Sequence, residues 1–259
     1  MKVELLACTP EPEKLIAAAA KICYSKSGVD DILEGLDEEK TSTFVKMISE
    51  LGHSSVIEHS SFTFGIEGVS RSLLAEITRH RIASFSVQSQ RYVRENMFEY
   101  VVPPEIADSE DAKNEFIAAM EEDQQHYDKI SMILKNKHIK RLTDSGMDEK
   151  SAAAAAEKLA IEDARFVLPN ACTTKIMMTM NCRSLVNFFE LRCCNRAQWE
   201  IRELALEIFR LCYRKAPHVF AGAGPSCVSG NCREGKMSCG RAEEMRKIYS
   251  QIRSVAFDS

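Results

Sequence analysis

The chain is expected to fold as an α+β protein, a mixed sheet with flanking helices and a helical insertion. Three observations point there. Short runs such as Val3–Cys8 and Phe62–Ile66 have the length and two-residue alternation of half-buried strands. Longer runs such as Glu38–Leu51 repeat apolar residues at three and four, the period of an amphipathic helix. Residues 109–164 are dense in helix formers and carry only one strong breaker, Ser145-Gly146.

Taken in order, VELLAC at 3–8 reads as a strand. Thr9-Pro10-Glu11-Pro12 ends it, and the alanine-rich LIAAAAKICYS gives a helix that stops before Gly28. Glu38–Leu51 is a second helix, with Gly52 as its stop. Phe62–Ile66 is a strand, Val69–Thr78 a helix, Ile82–Gln88 a strand, and Phe98–Val102 a further strand halted by Pro103-Pro104. The helical block begins at Ser109, a good N-cap followed by Glu110 and Asp111. Ala171–Met180 returns to strand. Asn181–Arg196 is a largely apolar helix with a polar face, Gln198–Lys215 an amphipathic helix whose charges read as ordinary surface, and Arg241–Val255 a terminal helix. The expected organisation is one catalytic domain over 1–220, with its insertion at about 105–164, followed by a cysteine-bearing loop and helix over 221–259.

The formal net charge of −4 excludes a whole-molecule field that would gather nucleic acid. Cation is concentrated instead in one stretch, Arg71–Arg94, where Arg71, Arg79, His80, Arg81, Arg91 and Arg94 stand with a single acid, Glu76. Arginine grips phosphate through a planar fork that stays charged, and the serines, glutamines and threonine between add uncharged donors and acceptors. The stretch suits a phosphorylated, hydrogen-bond-rich ligand such as a nucleotide. Met1–Thr9 is too short and charged for a signal peptide, and no apolar run approaches the ~20 residues of a membrane span, so a cytoplasmic protein without membrane association is expected.

No metal is expected. His53, Glu58 and His59 lack the HExxH spacing of a zinc helix. Of ten cysteines, seven sit among apolar residues and read as small buried hydrophobes. Cys227-x4-Cys232-x6-Cys239 could serve zinc or an iron–sulfur centre, but a fourth ligand is not evident, His218 being the nearest candidate, and plain reduced thiols are the favoured reading.

The order of residues carries more. Arg79-His80-Arg81, then seven residues to Ser89, then Arg91, resembles the RHR-x7-S pattern of the flavin-dependent thymidylate synthases. GHSSVIEH at 52–59, ARFVLP at 164–169, NCRSLVNFFELR at 181–192 and AQWEI at 197–201 are similar to that family in the same order. The resemblance implies that His53, Ser55, Glu58, Arg79, His80, Arg81, Ile82, Asn181, Arg183 and Asn187 contact FAD. It implies that Glu76, Ser89, Gln90, Arg91, Arg165 and Arg192 meet dUMP. Arg192 and Ser89 are assigned to catalysis, Ser89 as an orienting hydroxyl and not a nucleophile. It further implies a homotetramer with shared sites, and reductive methylation of dUMP to dTMP with methylenetetrahydrofolate and NADPH through FAD. Two positions depart: Glu76 stands where members often carry glutamine, and Arg196 where some carry histidine. The same arginines would also serve a non-catalytic nucleotide- or nucleic-acid-binding protein, or a flavoprotein with another acceptor.

Overall fold

A computed structural model describes residues 1–92 and 97–255, apart from the side chain of Val255. The chain divides into two compact units. The first holds Met1–Ile66, Ala75–Ser86 and Ile176–Ser259; the second holds Glu67–Leu74 and Val87–Lys175.

In chain order, strand β1 (Lys2–Cys8) is followed by helices α1 (Pro12–Ile22), α2 (Val29–Glu34) and α3 (Glu38–Leu51). A 3-10 turn at Val56–His59 leads into β2 (Ser61–Ser70), α4 (Arg71–Ile77) and β3 (Ala83–Val87). Helices α5 (Pro104–Ala107), α6 (Glu110–Asp144) and α7 (Glu149–Ala164) precede a 3-10 turn at Arg165–Val167 and β4 (Thr173–Asn181). Helices α8 (Cys182–Arg192), α9 (Trp199–Lys215), α10 (Ser226–Ser229) and α11 (Ala242–Val255) complete it.

The strands form one sheet in the order β1-β2-β4-β3. It is antiparallel, not mixed as the sequence suggested. Between β3 and β4 the chain makes a helical hairpin, α6 and α7. Phe62, Phe64 and Ile66 of β2 and Ile176, Met178 and Met180 of β4 are buried on alternate positions, as the two-residue period requires. On the strands' other side the Thr63 and Thr179 hydroxyls bond at 2.9 Å.

The core of the first unit is aromatic. The ring of Phe189 on α8 lies 5.3 Å from Phe209 of α9 and 5.7 Å from Phe220, and Phe209 lies 4.8 Å from Tyr249 of α11. All four rings are buried. Gly224 makes the approach of α11 possible: at φ 133°, a Cβ there would stand 2.6 Å from the Tyr249 ring. Burial extends to Glu200, 2% exposed, which contradicts the reading of α9's charges as surface. Its place in the first turn of α9 is one where the helix dipole favours a carboxylate.

The second unit is built on the α6–α7 hairpin. The break at Ser145-Gly146 falls as expected, with Gly146 at φ 93°. Ala152, Ala156, Ala160 and Ala164 recur every fourth residue and are all buried. The alanine run is therefore a packing stripe as well as good helix former, with Tyr127 of α6 buried against Ile161 and Ala164. Lys135 of α6 pairs with Glu157 of α7 at 2.5 Å.

Four further features differ from what the sequence suggests. Val69 and Ser70 belong to β2, and the helix starts only at Arg71, because the Ser70 hydroxyl accepts the Leu73 N–H and caps it. Phe98–Val102 is not a strand: only Tyr100 forms a bridge, to Cys172, since Pro103 and Pro104 cannot donate to a ladder. Helix α2, between Gly28 and Gly35, was not foreseen; six residues are too short a window for periodicity. Of the seven cysteines expected inside, Cys172, Cys182, Cys193 and Cys212 are buried, Cys8 and Cys194 are half-buried, and Cys23 is exposed at the end of α1.

Candidate active site

In the first unit the turn between α4 and β3 carries Arg79-His80-Arg81. It is fixed from both sides. Ile82 adopts φ 60°, a left-handed conformation strained for a β-branched residue, and its carbonyl accepts the Ser184 hydroxyl of α8 at 3.0 Å. His80 packs edge-on against Phe188 of α8, 5.0 Å between centroids. Its Nε2 accepts a 2.9 Å hydrogen bond from Arg192 Nε, which assigns the ring proton to Nδ1. Burial first, and then the Arg192 charge, hold the His80 imidazole well below its ordinary value, at about 4. Arg192 Nη1 in turn donates to Glu76 Oε2 at 3.1 Å. Glu76, Arg192 and His80 thus form one chain, and the carboxylate at position 76 is neutralised by a guanidinium.

Arg79 and Arg81 are exposed and carry no ion pair among the described residues, so their forks are available to an anion. Arg183 of α8 is engaged: it pairs with Glu58 of the 3-10 turn. Asn181 caps α8, its side chain accepting the Ser184 N–H at 2.8 Å. Asn187 lies one helical turn beyond Arg183 and is exposed. His53 and Ser55 are exposed in the loop after α3, which ends at Gly52 with φ 73°. Arg79, Arg81, His53, Ser55, Asn181 and Asn187 carry the donor types that a polyanionic, amide-rich cofactor such as FAD takes: guanidiniums, an imidazole, a hydroxyl and carboxamides.

The second unit holds the remaining predicted residues. Arg91 pairs with Glu162 of α7 at 2.5 Å, while Arg165 Nε donates to the Glu162 backbone carbonyl at 3.1 Å. Two arginines 74 positions apart in sequence therefore meet at one residue. Glu162 was not foreseen; its only signal was its place three residues before Arg165. Ser89 Oγ accepts the Arg91 backbone N–H at 3.2 Å, leaving its own proton to donate. Gln90 Nε2 is buried with no partner among the described residues, a donor awaiting an acceptor.

Two members of the arginine stretch play other parts. Arg71 Nη2 donates to the Gln88 carbonyl at 2.9 Å and braces the chain. Arg94 lies outside the described residues. Arg196 donates to the Met237 carbonyl at 2.9 Å and faces Glu234 at 3.6 Å, so this departure from the family pattern serves the C-terminal loop.

Residues 4–218 match the family described as thymidylate synthase complementing protein. The chain is 55% identical over 249 residues to a flavin-dependent thymidylate synthase of Clostridium tetani, covering 96% of this chain and 97% of that one. It is 45% identical to a protein of the same name from Geobacter sulfurreducens, over 97% of this chain and 99% of the other. A third, from Nitratidesulfovibrio vulgaris, is 48% identical over 93% and 94%. With the family match running through both the arginine turn and α8, and relatives of that name aligned nearly end to end, the chain belongs to the flavin-dependent thymidylate synthase family.

Proposed function

We propose that this protein converts dUMP to dTMP by reductive methylation, with FAD as cofactor and methylenetetrahydrofolate and NADPH as co-substrates, in the cytoplasm and as a homotetramer with shared sites. The observation that carries the reading is the arginine turn. Two guanidiniums without acid partners among the described residues stand on a backbone held by Ile82, Ser184 and His80.

Arg79, Arg81 and His53 offer charge and donors to the pyrophosphate, and Ser55, Ile82 and Asn187 line the remainder of the cofactor. The Glu58–Arg183 pair and the capping Asn181 set the shape of the cradle. Bound FAD supplies the hydride chemistry; the chain positions reactants and screens charge. His80 stays neutral at working pH, so it accepts from Arg192 and does not repel it.

Arg91 and Arg165 hold the nucleotide phosphate, whose oxygens replace the Glu162 carboxylate on Arg91. Gln90 gives its unpartnered N–H, and Ser89 its hydroxyl proton, to nucleotide oxygens. Arg192 spends Nε and Nη1 on His80 and Glu76, which orients its Nη2 for a pyrimidine carbonyl. Glu76 thereby acts on the nucleotide through Arg192, as an orienting partner with its charge already balanced.

The test is tritium release from 5-tritiated dUMP, dependent on FAD, NADPH and methylenetetrahydrofolate. Arg79→Ala and Arg91→Ala should each lower turnover about 10- to 100-fold, the loss expected for a charge-assisted contact. Arg79→Ala should weaken FAD, and Arg91→Ala should raise the KM for dUMP. Protein that gains no flavin absorbance, or near-native turnover in both variants, overturns the reading.

A further inference from the structure

We propose that a cavity between α8 and the loop after α9 binds the 2′-phosphate of NADPH and makes the enzyme prefer NADPH to NADH; this rests on the proposed function, in which NADPH reduces the bound flavin. The cavity measures ≈ 270 Å³. Val186 and Glu190 of α8 form one wall, and loop residues between Gly222 and Arg233 form the rest. Arg183, Asn187 and Glu190 stand at i, i+4 and i+7 of α8, so the cavity adjoins the helix face assigned to FAD.

The loop offers donors to this space because α11 takes its acceptors. Arg253 Nη2 donates to the Ala223 carbonyl at 3.1 Å, and Arg246 Nη2 to the Gly230 carbonyl at 3.2 Å. In a trans peptide the carbonyl and the following N–H point in opposite directions, and the chain has no cis peptide. The Gly224 and Asn231 N–H groups are therefore turned away from those arginines. Both residues line the cavity, and no residue of α11 does. Neither N–H has a partner among the described residues, although Gly224 is buried. A buried amide without an acceptor is costly, and here it marks a position for a ligand oxygen.

Arg233 supplies the charge. It pairs with Glu190 through Nη1, which balances the one carboxylate in the cavity wall, and its side chain is 76% exposed, so the rest of its fork is open. Its backbone N–H donates to Ser226 Oγ at 3.1 Å, which leaves the Ser226 hydroxyl proton to donate. The Ser229 hydroxyl in the same wall has no partner among the described residues. A guanidinium, two amides and two hydroxyls approaching from different sides suit the three terminal oxygens of a phosphomonoester better than a planar carboxylate. The reactants carry two phosphomonoesters. That of dUMP is assigned to Arg91 and Arg165, and the other is the 2′-phosphate that distinguishes NADPH from NADH.

The experiment uses the full-length protein saturated with FAD and dUMP, and follows anaerobic flavin reduction by NADPH and by NADH. Arg233→Gln keeps a hydrogen-bonding partner for Glu190 and removes the charge. It should lower kcat/KM for NADPH about 10-fold or more and leave that for NADH unchanged. Ser229→Ala should lower the NADPH-to-NADH ratio by a smaller factor. Arg210→Gln, whose arginine pairs with Glu207 within α9, should keep the wild-type ratio. A general loss of fold lowers both donors alike and does not mimic this pattern. Adenosine 2′-phosphate, titrated calorimetrically into the same saturated protein, should bind wild type and Arg210→Gln and lose affinity in Arg233→Gln. Binding of that probe through Arg233 in a protein that NADPH does not reduce would support the site and overturn the proposed donor. An NADPH-dependent enzyme whose donor ratio is unmoved in both cavity variants would keep the activity and overturn the site. A raised KM for methylenetetrahydrofolate, with that for NADPH unchanged, would overturn it as well.

Discussion

Position 80 shows how a single side chain is set by its surroundings. A protonated His80 would face the Arg192 guanidinium at 2.9 Å from a half-buried ring, and the fold disfavours that state. The folded pKa of about 4 lies below the ordinary 6.5. Above 6.5 both folded and unfolded chains carry neutral His80, and its contribution to stability is fully present. As pH falls from 6.5 toward about 4, the unfolded chain takes up a proton that the folded chain refuses, and stability declines. Denaturant midpoints should therefore drop between about pH 7 and about pH 5, and the drop should be smaller in His80→Gln, which keeps an acceptor but cannot titrate. Equal slopes in the two proteins would show that other groups carry the effect. Glu162 offers a second test. Its carboxylate pairs with the Arg91 guanidinium and competes with a phosphate for it, so Glu162→Gln should tighten dUMP several-fold by calorimetry. Weaker binding would mean that Glu162 orients Arg91 instead of competing for it.

Helix α7 packs through small side chains. Its hydrophobic signal in sequence is faint, because the buried stripe is alanine, the side chain that marks helix-forming tendency and close approach equally well. Propensity predicted the helix; the four-residue recurrence of Ala152, Ala156, Ala160 and Ala164 becomes a packing surface only once α6 lies against it. Ala156→Leu adds three heavy atoms where none fit and should cost about 1–3 kcal/mol of stability in chemical denaturation. A neutral result would mean that the hairpin opens enough to take a leucine. Other elements were legible from end signals: Ser109 and Asp148 cap α6 and α7, and Gly52 ends α3 in the left-handed region. Phe98–Val102 misled because its composition is that of a strand, while the prolines behind it prevent a ladder.

For the whole molecule, the acidic net charge and the local arginines fit a small anionic ligand and not a nucleic-acid track. Among the described residues no helix is long and apolar enough to cross a membrane. Met132 and Ile133 stand more than half exposed on the long helix α6, apolar surface that the proposed homotetramer would cover in part. Light scattering behind size exclusion should return four times the mass of one chain, and a monomer at working concentration would remove the proposal of shared sites.

Fixed spacings such as RHR-x7-S mark the family, and periodicity and caps mark most of the helices; both are written locally along the chain. Pairings between residues far apart in sequence come into being only as the chain folds. Glu76 with Arg192, Arg91 with Glu162, Ser184 with Ile82 and Asn195 with Cys239 are such pairings, and so is the antiparallel sense of the sheet. A charge has the same one-letter code whether solvent or a guanidinium neutralises it. Its meaning is set by distance in space, which spacing along one chain does not encode.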